Sequence, residues 1–174
     1  MSLDAPADVR FDALHMLANG VYVLTACVGE TIHAVTVSWV SQSSMEPPLV
    51  LTALRRNSHV ARAVHQAHRF ALNVLEVGQE SLAEKFFEHV TVAEPSPDLS
   101  GLTYRSSAAH CPLLIDALGW IECRVAAEPE TPGDHCLILG EVTGAGVRRQ
   151  GRPLVLSDTP WSYGGFKVTS EPAA

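Results

Sequence analysis

Residues 19–42 read NGVYVLTACVGETIHAVTVSWVSQ, and this stretch decides the fold. Val21 to Val28 is apolar and rich in β-branched residues. Gly29-Glu30 is a turn pair, and Thr31 to Gln42 resumes as a strand. Two such runs joined by a Gly-containing turn predict a β-hairpin. Upstream, Phe11, Leu14 and Leu17/Ala18 have helical spacing, and Asn19-Gly20 ends that short helix. Downstream, Pro47-Pro48 breaks the chain before a strand over Leu49 to Leu54. Pro48 is tolerated only at the start or edge of such a strand.

Asn57 to Ala67 is predicted helical, with Ser58 as N-cap and Val60, Ala61, Val64 and Ala67 on one stripe. Phe70 to Leu75 reads as a strand. Ser81 to Glu88 reads as a second helix, with Ser81 and Glu84 spaced as a capping box. Glu94 to Gly101 is a Pro-containing loop. Strands are expected at Gly119 to Glu128, His135 to Arg148 and Arg152 to Ser157, the first two joined by Thr131-Pro132-Gly133-Asp134. The tail after Lys167 is expected to fray. The sum is about six or seven strands with two or three peripheral helices, a mainly β antiparallel barrel. No regular strand–helix alternation, Gly-rich dinucleotide fingerprint or P-loop is present.

The chain has 174 residues, which suits one domain with a core over about residues 11–167. A hydrophobic fraction of 47% and a charged fraction of 18% are those of a globular protein. A net charge of −7 argues against a nucleic-acid partner. No apolar run approaches the ~20 residues that cross a bilayer, and residues 1–12 lack a basic segment before an apolar one. The expectation is a cytoplasmic protein with no membrane contact, whose four cysteines are reduced thiols. Cys123, Cys136 and His135 fit no common zinc spacing.

Three stretches could carry chemistry. Thr36-Val37-Ser38-Trp39-Val40-Ser41-Gln42-Ser43-Ser44 places short hydroxyls along a strand end. They suit the rim of a flat polar heterocycle, and equally a solvated strand face. Arg55-Arg56-Asn57-Ser58 puts two cations before a helix start, where free N–H groups and the dipole attract anions. An ordinary capped helix has the same look. Gly133-Asp134-His135 sets a histidine at the start of an apolar strand, either to contact a ligand or to bond structurally. Asp134 and His135, as neighbours in a strand, would point to opposite faces. No nucleophile elbow is present, so a cofactor is expected to carry any chemistry.

Five segments, taken in order, resemble the flavin reductase-like FMN-binding split-barrel family. They are NGVYVLTA (19–26), VTVSWVSQSSMEPPLV (35–50), RRNSHVARAV (55–64), FALNVLEVGQESLAEKFF (70–87) and GDHCLILGEV (133–142). The wording is similar to the reductase modules fused to flavo-diiron proteins and to related rubredoxin reductases. The resemblance implies a split β-barrel homodimer with FMN, or FAD, across its interface and NADH or NADPH as electron donor. It implies flavin contacts from Thr36, Val37, Ser38, Trp39, Val40, Ser41, Gln42 and Ser43. It further implies phosphate contacts from Arg55 or Arg56, Asn57 and Ser58, and a catalytic or structural role for His135. The implied activity is an NAD(P)H-dependent flavin reductase passing electrons to free flavin or to a partner oxygenase, flavo-diiron or rubredoxin-type protein. The alternatives are a non-catalytic flavin- or haem-binding module, or an oxidoreductase acting directly on a small organic substrate. Two features depart from the family pattern: the run Leu156 to Trp161 replaces a Tyr-His-Arg-Gly-like segment, and Trp39 is larger than usual.

Overall fold

A computed structural model describes residues 13–107 and 110–161. After a helical turn at 13–15, the elements of the described residues follow in the order β1 (Tyr22–Val28), β2 (Thr31–Val37), β3 (Val40–Met45), β4 (Pro48–Arg55), α1 (His59–Ala67), β5 (Arg69–Val74), α2 (Glu80–Glu84), β6 (Val90–Ala93), β7 (Tyr104–Ser106), β8 (Pro112–Leu114), β9 (Gly119–Ala127) and β10 (His135–Val147). A short 3-10 turn, Leu156–Asp158, closes the described chain. The expected hairpin is β1–β2, in register from Tyr22 opposite Val37 to Val28 opposite Thr31.

Eight strands form one antiparallel sheet in the order β3-β4-β10-β9-β5-β1-β2-β6. Strands β2 and β3 are six places apart in it, which in a flat sheet is roughly 29 Å. Yet only Ser38 and Trp39 join them, a link that reaches about 11 Å. The sheet must therefore curl until its two ends meet. That closure also corrects the reading of Thr31 to Gln42 as one strand. The chain turns at Ser38-Trp39, where Val40 N–H donates to the Ser38 carbonyl and Ala53 N–H to the Trp39 carbonyl.

Alternation along β1 feeds two cores. Leu24 and Ala26 pack with Phe70, Ile138 and the α1 residues Val60 and Val64. Val23 packs on the other side with Ile32, Leu75, Leu82 and Phe86. Burial of Val60 and Val64 stabilises α1 by about 1.5–3 kcal/mol each. Ser58 caps α1 as expected, its Oγ accepting from Ala61 N–H at 3.2 Å. Gly140 lets β10 bend into the barrel: an added Cβ there would lie 2.7 Å from the Cys123 Cβ and 2.8 Å from the Phe70 Cζ.

Several expected elements differ. Helix α2 begins at Glu80 with Gln79 at its cap and no side-chain cap bond, so Ser81 and Glu84 form no capping box. Residues 152–157 make only isolated bridges, Glu76 to Pro153 and Gly20 to Val155, before the 3-10 turn. The short strands β6, β7 and β8 have no counterpart in the sequence reading. The tail after Lys167 and the residues before 13 lie outside the described residues. Pro48 starts β4, as a strand proline must.

On the outer face of the sheet, Asn73 is fully buried and ties β5 to the β7–β8 hairpin. Its Nδ2 donates to the Val23 carbonyl at 3.1 Å, and its Oδ1 accepts from Leu114 N–H at 2.8 Å. Thr25 Oγ1 adds a bond to the Pro112 carbonyl at 2.6 Å.

Candidate functional site

The last residue of β4, Arg55, stands opposite the first residue of β10, His135. This pairing gathers two of the three singled-out stretches at one rim. The corner between β2 and β3 delivers the third: the Trp39 ring centroid lies 4.5 Å from that of His135, with the planes tilted by 40°. Trp39 remains 39% exposed, whereas His135 is 8% exposed.

His135 Nδ1 lies 2.7 Å from Asp134 Oδ1. Asp134 precedes β10, so its carboxylate turns back onto the ring; the expectation of opposite faces holds only inside a strand. The hydrogen bond and the charge of His135 hold the Asp134 carboxyl below the usual carboxylate range. With Asp134 accepting at Nδ1, the ring is fixed in orientation by its own neighbour.

The two arginines have different surroundings. Arg56 Nη2 donates to the Thr131 carbonyl at 2.7 Å, to Thr131 Oγ1 at 2.8 Å and to the Gly133 carbonyl at 3.1 Å. Its backbone N–H donates to the Asp134 carbonyl. Arg56 thus clamps the 131–135 turn. Arg55 is exposed, and its side chain makes no hydrogen bond or ion pair among the described residues. It stands at the start of α1, beside the exposed Asn57 and the cap residue Ser58. The clamp could not be read locally, because Thr131 is 75 residues away from Arg56.

The hydroxyl-rich stretch divides in two. Thr36 Oγ1 donates to the Ala83 carbonyl at 2.8 Å and Thr36 N–H to the Phe86 carbonyl, docking α2. Val37 packs in the core. Ser38 and Trp39 form the corner, and Val40 begins β3, with the exposed Ser41, Gln42 and Ser43 following. Ser41 Oγ donates to the Gln42 carbonyl, and Gln42 Nε2 lies against Met45 Sδ. Ser41 shares its register position with Leu51 of β4. Leu49, Leu51 and Ala53 of β4 and Leu137 and Leu139 of β10 are half-buried and belong to neither large core. They alternate with the buried Val50, Thr52, Leu54 and Ile138, and so form an apolar outer face beside Trp39.

No group of three or more ligating side chains among the described residues is arranged for a metal ion. Burial pushes the Cys123 thiol up to about 12, and Cys136 Sγ donates to the Leu54 carbonyl, so neither offers a thiolate. All four cysteines are free. No helix among the described residues is long and apolar enough to cross a membrane.

A mainly β, curled antiparallel sheet with its polar groups gathered at one rim defines a split-barrel protein. Residues 14–162 match the flavin reductase like domain, and the chain belongs to that family. It is 36% identical over 144 residues to an NADPH-flavin oxidoreductase of Streptomyces viridifaciens, covering 80% of this chain and 71% of that one. It is 32% identical over 138 residues to a diflavin flavoprotein of Synechocystis, covering 79% of this chain and 24% of that one. The chain therefore spans about a quarter of the length of that relative. Among solved structures, the NADH:FAD oxidoreductase of Streptomyces globisporus superposes with a TM-score of 0.73 at 26% identity. The match covers 89% of this chain and 92% of that one.

Proposed function

We propose that the protein is an NAD(P)H-dependent flavin reductase that binds FMN at the Trp39–Arg55–His135 rim. One observation carries the reading: an exposed arginine with no hydrogen bond or ion pair among the described residues, at a capped helix start, on the same rim as a histidine fixed by Asp134 and an exposed indole. The residues fit the cofactor's chemistry. Arg55, Asn57 and the first turn of α1 would hold the phosphate. The backbone and hydroxyls from Ser38 to Ser43 would line the ring system. Thr36 and Val37 support that segment from behind. FMN is the flavin proposed, with its single phosphate at Arg55 and the start of α1.

When bound, the flavin supplies the hydride-accepting ring. The chain's own part is orientation. Asp134 keeps His135 Nδ1–H engaged, and His135 then helps to align the nicotinamide, while Trp39 walls the pocket against water. Electrons leave to free flavin or to an oxygenase, flavo-diiron or rubredoxin-type partner. The test is an absorption spectrum of the purified protein with added FMN, followed by NADH and NADPH oxidation. A visible flavin band that shifts on binding, and turnover that needs flavin, are expected. Failure to oxidise either nucleotide with flavin bound would leave a binding module.

Replacing His135 by alanine is expected to slow anaerobic flavin reduction by roughly five- to thirty-fold, the equivalent of about 1–2 kcal/mol, with FMN still bound. Stopped-flow traces at the wild-type rate across the NADH range would make the histidine structural.

We further propose a homodimer formed through the face of Leu49, Leu51, Ala53, Leu137 and Leu139. A flat ligand on this rim has a protein wall on one side only, and a second copy would supply the other. The expected interface is on the order of 2,000 Å² or more in total. Sedimentation of FMN-bound protein at micromolar concentration checks this, and a monomer there would refute it.

A further inference from the structure

Three histidines from three parts of the chain meet beside the start of α1. His33 lies on β2, His59 opens α1 and His89 immediately precedes β6. The His33 and His89 rings stack with centroids 5.2 Å apart, and the His59 and His89 rings stack at 5.1 Å. His33 Nδ1 and His89 Nε2 are 3.1 Å apart. Arg62, one turn along α1, places Nη2 3.1 Å from His59 Nδ1 and donates through Nη1 to the Asn57 carbonyl. Thr91 Oγ1 lies 3.3 Å from His89 Nδ1.

Hydrogen-bonding capacity fixes the charge this arrangement tolerates. A guanidinium only donates, and an imidazolium has N–H on both nitrogens. His59 must therefore accept at Nδ1 and be neutral. Between His33 and His89 one nitrogen donates and the other accepts, so at least one of that pair is neutral as well. The groups facing the rings are Arg62 and Asn57 on the α1 side, Thr91 on β6, and one another. No carboxylate among the described residues pairs with any of the three. A second or third proton would face cations and no counter-charge.

We propose that His33, His59 and His89 form an acid-sensitive clasp that ties the chain entering β6 to the start of α1 and opens when the rings take up protons. The closed clasp requires two neutral rings; protonation removes the acceptors at His59 and within the His33–His89 pair. Burial first, then the neighbouring imidazoles and, for His89, the Arg62 guanidinium, hold His33 and His89 below the usual histidine range. A lowered folded value means that the stability is complete above the unfolded value near 6.5 and declines as pH falls through it. The proposal is independent of flavin binding, although Arg55 and Ser58 lie in the adjoining turn.

Two measurements on the full chain without ligand test it. Imidazole nitrogen shifts are followed by NMR from about pH 8 to about pH 5. His33 and His89 are expected to titrate below 6.5; either one at or above it would overturn the clasp. In parallel, Tm is compared at about pH 7.5 and about pH 5.5 for wild type and the double variant His33→Gln, His59→Gln. Glutamine keeps an acceptor for Arg62 and a partner for His89 but takes no proton. The wild-type fall is expected to exceed the variant's by roughly 3–6 °C. Equal falls would overturn the proposal. Should the double variant not fold, His33→Gln alone makes the same comparison, with about half the difference.

Discussion

Replacing Arg55 by alanine is expected to weaken FMN binding by about 1.5–3 kcal/mol, roughly 10- to 150-fold, and to leave riboflavin nearly unaffected. Arg55 is exposed at the last position of β4 and carries no ion pair among the described residues. A guanidinium so placed, at a capped helix start, suits a phosphate oxygen. Riboflavin has no phosphate and so has nothing to lose. Arg56→Ala is the control: it removes the bonds to Thr131 and Gly133 that hold the turn under His135, so both flavins are expected to bind less well. Calorimetric titration of the two ligands against both variants decides the matter. Equal losses for FMN and riboflavin in Arg55→Ala would mean that this side chain serves the fold or the ring.

Asn73→Ala is expected to destabilise the protein by about 2–4 kcal/mol, or roughly 5–15 °C in Tm. Asn73 has no exposed surface, and its amide satisfies the Val23 carbonyl and the Leu114 N–H. Leu114 is itself fully buried, so truncation strands a donor where water does not reach. The bond from Thr25 on β1 to the Pro112 carbonyl would remain to hold the β7–β8 hairpin. Urea unfolding gives the value directly. A loss below about 1 kcal/mol would show that the hairpin relaxes to satisfy the amide without help.

The parts legible in the sequence were those whose signals are local. The β1–β2 hairpin rests on two apolar runs and a glycine turn, with Gly29 at a φ of 59°. Helix α1 rests on Ser58 and a stripe of small apolar residues. The break at Ser38-Trp39 had no local signal, since Val35, Val37, Trp39 and Val40 continue an apolar run. Barrel closure imposes it. Strands β7 and β8, three residues each, are too short to show a period. At α2, Gln79 displaced Ser81 because its side chain binds the Glu76 N–H and the Asp116 carbonyl, a partner 37 residues on. The site divides the same way. Its three stretches stood out by residue type, but which arginine faces outward depended on Thr131 and Gly133, far along the chain.

The Arg56 clamp also bears on how this rim could be moved or rebuilt. Five hydrogen bonds join residue 56 to residues 131–135, four from the guanidinium and one from the backbone. A sixth, from Thr131 Oγ1 to the His135 carbonyl, closes the turn on itself. The two segments therefore behave as one cassette, although most of the barrel's sequence lies between them or outside them. A chimera that imports residues 55–58 from a relative without residues 131–135 would join two halves of different fittings. The same cassette holds the span between Arg55 and His135 at a set length, as a jig holds two drill points.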